Sequence, residues 1–123
     1  MNLVDSSGWL AFFADTKNAD EFAVPLQNTG HLLVPTIVIY EVTKVLLRER
    51  GEDTAIVGQA HMLQGTVADL TVIRATEAAA ISLEKRIPMA DSIIIATARA
   101  FDATIWTQDD HFKGIAKVRY FRG

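Results

Sequence analysis

The chain has no cysteine. That excludes a disulfide framework, a zinc–thiolate site and thiol catalysis. It also lacks any apolar run approaching the roughly 20 residues of a membrane span, and no basic stretch precedes its first apolar residues. Neither a membrane partner nor a secretory leader is therefore expected, and the sequence reads as cytoplasmic. Internal repeats, low-complexity tracts and linkers are missing too. Neither sign of charge dominates: the net charge is −3. That balance does not argue for nucleic acid as a partner. It does not argue against it either, because acids gathered at one site can set the sum while basic residues flank it.

What is present is apolar: half of the 123 residues. This argues against disorder and suits one compact domain over 1–123. A short strand is predicted over 2–5, stopping at Asp5, with Ser6 or Ser7 able to cap a helix over 9–14. A helix over 19–28 closes at Gly30, and Leu32-Leu33-Val34 is a strand ended by Pro35. Thr36 is a candidate cap for a helix over 37–50 that stops at Gly51. Further helices are expected over 53–67, 76–86 and 90–101, and strands over 70–73, 103–106 and 118–121. Short apolar strands alternating with helices predict an α/β fold, a three-layer α/β/α sandwich around a mostly parallel sheet.

Four carboxylates interrupt or border this apolar sequence: Asp5, Glu41, Asp91 and Asp109. A carboxylate is costly in such surroundings unless something positive offsets its lost hydration. A divalent cation does this for several at once. Taken singly, Asp5, Asp91 and Asp109 also suit caps or turns, and Glu41 could pair with Lys44 on an exposed helix face. In parallel sheets ligands bind beyond the carboxyl ends of the strands. Asp5 and Asp109 follow two predicted strands, and Asp91 opens a helix whose start faces the same edge. On α-helical spacing Val38, Val42 and Val45 form a buried stripe with Glu41 at its border.

Four segments carry a further likeness: Val4-Asp5-Ser6-Ser7, Val38-Ile39-Tyr40-Glu41-Val42, the stretch from Met89 through Asp91 to Ala98, and Thr107-Gln108-Asp109-Asp110-His111-Phe112. Together they resemble the PIN-domain ribonucleases, and among them the short toxins of the VapC type. The resemblance spans nearly the whole chain. It implies that Asp5, Glu41, Asp91 and Asp109 hold one or two Mg²⁺ or Mn²⁺ ions. Thr107 matches a hydroxyl beside them, with Ser6 and Asp110 as further accessory candidates. The implied activity is metal-dependent endoribonuclease cleavage, often at structured sites in transfer or ribosomal RNA. The implied partners are an RNA substrate, a cognate antitoxin and a second copy of the chain. In the last motif the family often has a second acid directly before the Phe, where His111 stands here, so Asp110 becomes the substitute ligand for a second ion.

The chemistry agrees with these residue types. Mg²⁺ prefers carboxylate and water oxygens, and phosphodiester hydrolysis needs an activated water and neutralised charge rather than a protein nucleophile. Two carboxylates about 4 Å apart repel by roughly 4 kcal/mol at an effective dielectric of 20. Lys44, Arg48 and Lys113 are candidate phosphate contacts, with Lys117, Arg119 and Arg122 nearby in sequence. His31, His61 and His111 are too scattered for a metal set, although His111 lies near the site; Trp9, Phe12 and Phe13 read as packing residues. Alternatives are a non-toxin PIN RNA-processing nuclease, a catalytically inactive binding module of the same fold, and a phosphoacceptor receiver domain. The last needs an acceptor Asp after a central strand, which the segment 70–73 does not supply.

Overall fold

A computed structural model describes residues 1–115 and 117–123. Five parallel strands form one sheet in the order β3-β2-β1-β4-β5. They are β1 (Asn2–Val4), β2 (Leu32–Pro35), β3 (Thr66–Ala68), β4 (Thr104–Thr107) and β5 (Val118–Tyr120). Six helices complete a three-layer α/β/α sandwich: α1 (Ser6–Phe13), α2 (Ala19–Gln27), α3 (Thr36–Arg50), α4 (Glu52–Met62), α5 (Val72–Lys85) and α6 (Met89–Ala100). Leu3, Val4, Leu32, Leu33, Val34 and Ile105 are fully buried. These strands are apolar on both faces because helices cover both. The chain runs outward through β1, β2 and β3, then crosses back to place β4 against the free side of β1. The reversal of strand order lies between β1 and β4, where open parallel sheets bind ligands.

The edges of the elements differ from the sequence expectation in instructive ways. Helix α1 starts at Ser6 and is capped by Asp5, whose carboxylate accepts from the Gly8 N–H, not by Ser6 or Ser7. Thr36 is the first residue of α3 and Pro35 occupies its cap position without a side-chain bond, while Pro35 itself still belongs to β2. The buried stripe of α3 is Val38, Val42 and Leu46; Val45 turns toward a cleft instead.

The largest correction concerns 53–73. The helix ends at Met62, Thr66–Ala68 is a strand, and no strand forms over 70–73. Thr66, Val67 and Ala68 pair with Leu33, Val34 and Pro35, so backbone pairing decides their state, not local propensity. Thr71 then caps α5 by accepting from the Arg74 N–H. Along α5 and at the start of α6, Val72, Ile73, Leu83 and Met89 are at least 64% exposed, the first two in the opening turn of α5 where a strand was expected. Ile56 and Val57 on α4 and Leu63 just past its end are also exposed. Among the described residues no helix is long and apolar enough to cross a membrane.

Gly8 sits where α1 crosses the core. A Cβ there would lie 2.5 Å from Val4 Cγ1 and 2.8 Å from the Phe22 ring. Gly8→Ala is therefore expected to destabilise the fold by about 1–3 kcal/mol, despite alanine's better helix propensity. The midpoint of a urea transition measures this, and an unchanged or raised midpoint would refute the packing account.

Candidate metal centre

The parallel pairing of Val4 with Trp106 sets the ends of β1 and β4 side by side. Asp5 is the first residue past β1, and its N–H bonds the Trp106 carbonyl at 3.2 Å. Its side chain is 4% exposed and held on three sides. Thr107 Oγ1 donates to Asp5 Oδ2 at 2.6 Å, Ser7 Oγ donates to Oδ1 at 2.7 Å, and the Gly8 N–H donates to Oδ1 at 3.1 Å. Burial pushes its pKa up to about 6; the bonds from Thr107, Ser7 and Gly8 oppose this, and the charge of Asp109 adds to it.

Glu41 arrives from the second turn of α3 and accepts a short hydrogen bond from the Ser6 hydroxyl. Asp91 lies in the first turn of α6, where the helix dipole favours an anion. It is not the cap, a position held by Pro88. Asp109 follows β4 and caps a one-turn 3₁₀ helix over Asp110–Phe112 by accepting from the His111 N–H at 2.9 Å. Its own N–H donates to Thr107 Oγ1 at 2.8 Å, so Thr107 links Asp5 and Asp109.

All four predicted acids line one cleft of about 320 Å³, together with Ser6 and Ser7. Leu10, Val45 and Ile94 supply its apolar wall. Asp110 is exposed and does not line it. Lys44 and Arg48 lie outside it, on a neighbouring groove farther along α3. Lys113 stacks over the Tyr120 ring at 4.1 Å. Asp69 follows β3, the real third strand, but it is exposed and lies outside the cleft.

Two residues contribute more than the sequence suggested. Ser7 accepts from the Gln108 N–H at 3.0 Å while donating to Asp5, and so joins the loops after β1 and β4. His111 Nδ1 lies 3.1 Å from Asp91 and 3.3 Å from Asp109. The hydrogen bond to Asp91 and the charge of Asp109 raise the His111 pKa, while burial raises that of Asp91 against the pull of His111. Asp91, Asp109 and His111 each place one ligand atom within 4.8 Å of the others. A protonated imidazole between two carboxylates occupies the electrostatic position of a cation. The remaining donors, hard carboxylate oxygens with hydroxyls behind them, suit Mg²⁺ or Mn²⁺. The residues present thus fit a divalent ion.

A family model for the PIN domain matches residues 3–118. The chain belongs to the PIN-domain family. No curated protein matches the sequence. Among solved structures, a toxin–antitoxin complex from Klebsiella pneumoniae superposes with a TM-score of 0.80 at 18% identity, over 97% of this chain and 96% of that one. VapC20 of Mycobacterium tuberculosis, described as a sarcin–ricin-loop-cleaving toxin, gives 0.76 at 19% identity over 97% and 99%. VapBC2 of Rickettsia felis, bound to a DNA fragment from its promoter, gives 0.75 at 14% over 97% of each chain. At these identities the likeness speaks for the fold.

Proposed function

We propose that this PIN domain is a metal-dependent endoribonuclease acting as the toxin of a toxin–antitoxin pair. The observation that carries the reading is the convergence of Asp5, Glu41, Asp91 and Asp109, from four separate elements, on one cleft at the strand-order reversal. The toxins among its structural relatives support the biological role.

In this reading the four acids hold Mg²⁺ or Mn²⁺, which when bound neutralises the scissile phosphate and activates a water. The chain's own residues fix the geometry. Ser7, Thr107 and Gly8 hold Asp5 in one orientation, and Ser6 does the same for Glu41. No side-chain nucleophile is needed. Asp110, exposed and one residue past Asp109, is the reserve ligand for a second ion. Lys44, Arg48 and Lys113 contact RNA phosphates. An antitoxin placing a basic side chain in the cleft would offset the same repulsion as a metal. A second copy of the chain or the antitoxin would cover exposed apolar residues such as Ile56 and Val57 of α4.

The test is cleavage of RNA by the purified protein with and without Mn²⁺. Loss of an outer partner of a metal ligand costs roughly 10–100-fold, so Asp91→Asn should lower the Mn²⁺-dependent rate by about a hundredfold or more. Metal at a hundredfold excess over its dissociation constant should add about 2.7 kcal/mol of stability, roughly 10 °C in melting temperature. Cleavage by Asp91→Asn at the wild-type rate would refute the assignment. Folded protein that neither cuts RNA nor melts higher with Mn²⁺ would favour the inactive binding module.

A further inference from the structure

Helix α3 has two working sides. Glu41 faces the carboxylate cleft, while Tyr40, Thr43, Lys44 and Arg48 line a separate groove of about 590 Å³ between α3 and α4. Ile39 and Leu47 give it apolar walls, and Gln59 reaches it from α4. Its chemistry differs from that of the neighbouring cleft. Two cations, an amide, a hydroxyl and an aromatic ring line it, and no carboxylate does. Tyr40 is 59% exposed, with the Lys44 ammonium 5.7 Å from its ring centre. Thr43 also lines it, but its Oγ1 is buried, so the hydroxyl is not presented to the groove. Arg48 also touches Glu49 at 3.3 Å, but both are 62% exposed and such a pair is weak.

Resting on the ribonuclease reading above, we propose that this groove is a nucleotide subsite for the single-stranded RNA flanking the scissile phosphate. An unpaired base stacks on Tyr40, Gln59 bonds its edge, and Lys44 and Arg48 hold the adjoining phosphates. Aromatic stacking beside cations is how proteins hold single strands. Continuity with the cleft supports RNA over a peptide. Lys44 and Arg48 lie about 4.5 and 10.5 Å along the axis of α3 from Glu41, so a strand leaving the cleft along this helix meets them in turn. The absence of any acid from the lining matches a polyanion.

The experiment compares wild type, Tyr40→Ala, Tyr40→Phe and Gln59→Ala on a cleavable RNA. An abasic ribose replaces each of the three nucleotides on either side of the cut bond in turn. At one position the abasic change should raise the wild-type KM about tenfold and leave that of Tyr40→Ala unmoved. Tyr40→Phe should behave as wild type, and kcat should stay within about twofold throughout. Abasic costs equal in wild type and Tyr40→Ala at every position overturn the subsite. So does Tyr40→Ala weakening a protein partner while every RNA KM is unchanged. If the protein cuts no RNA, equilibrium binding of a fluorescent oligonucleotide separates the two claims. Binding that Tyr40→Ala reduces about tenfold keeps the subsite while the catalytic reading fails; no binding overturns both.

Discussion

Asp5→Asn should yield a protein that is more stable than wild type without metal and unable to cut RNA. The Asp5 carboxyl titrates near 6 in the fold, with burial as the main cause, against about 3.9 in an unfolded chain. The sign follows from linkage. A carboxyl with a raised folded pKa binds its proton more tightly when folded, so its ionisation opposes folding. Below about pH 4 both states are protonated and no penalty exists. Between about pH 4 and 6 the penalty grows, and above that it levels near 3 kcal/mol. The raised pKa of Asp91 acts in the same sense over the acid range. The raised pKa of His111 removes further stability as pH climbs through its own titration.

Asparagine keeps an oxygen for the Ser7 and Gly8 donors and turns an NH₂ toward Thr107, whose hydroxyl can accept it. Melts in chelator from pH 4 to 8 should therefore show wild type falling with pH and Asp5→Asn nearly flat from this cause. The gap at pH 7 is about 3 kcal/mol, or roughly 10 °C. Saturating Mn²⁺ should close it, because only wild type gains from the ion. A lower melting point for Asp5→Asn at pH 7 in chelator would show that its hydrogen bonds outweigh its charge. Stability lost at a site for the sake of function is a general pattern, and under the proposed function Asp5 is where this chain would concentrate it.

Much of this site was legible because the cost of a carboxylate in apolar sequence does not depend on tertiary detail. Asp5 and Asp109 each follow a strand with clear apolar runs, and Asp91 and Glu41 lie on helices with long apolar periodicity. The acids line one cleft because β1 and β4 are neighbours. β3 was not legible. Thr66 and Val67 are exposed, and the segment is a strand because it pairs with β2. The run 70–73 is apolar enough to suit a strand, but Thr71 caps α5 and leaves Val72 and Ile73 exposed in its first turn. His111 was legible only as a neighbour of the site, for a related reason. It is 20 residues from Asp91 in sequence, and only the turn after β4 brings its imidazole between two acids. Ser7 read as a cap because its bond to Gln108, 101 residues away, exists only once β1 and β4 are adjacent.

That turn after β4 is the subject of the second large effect. Phe112 is fully buried and anchors the 3₁₀ helix whose other end is Asp109. Phe112→Ala should cost about 3–5 kcal/mol, a large part of a small domain's 5–15 kcal/mol. The functional consequence exceeds the loss of stability. Without its anchor the turn no longer holds Asp109 and His111 toward Asp91, so the metal should bind more weakly even where the protein stays folded. Phe112→Leu keeps most of the buried volume and should retain both fold and metal affinity. Mn²⁺ titrations followed by melting temperature, at a temperature where the alanine variant remains folded, separate the two effects. If Phe112→Ala binds Mn²⁺ as tightly as wild type, Asp109 is held instead by its own N–H bond to Thr107, and the anchor serves stability alone.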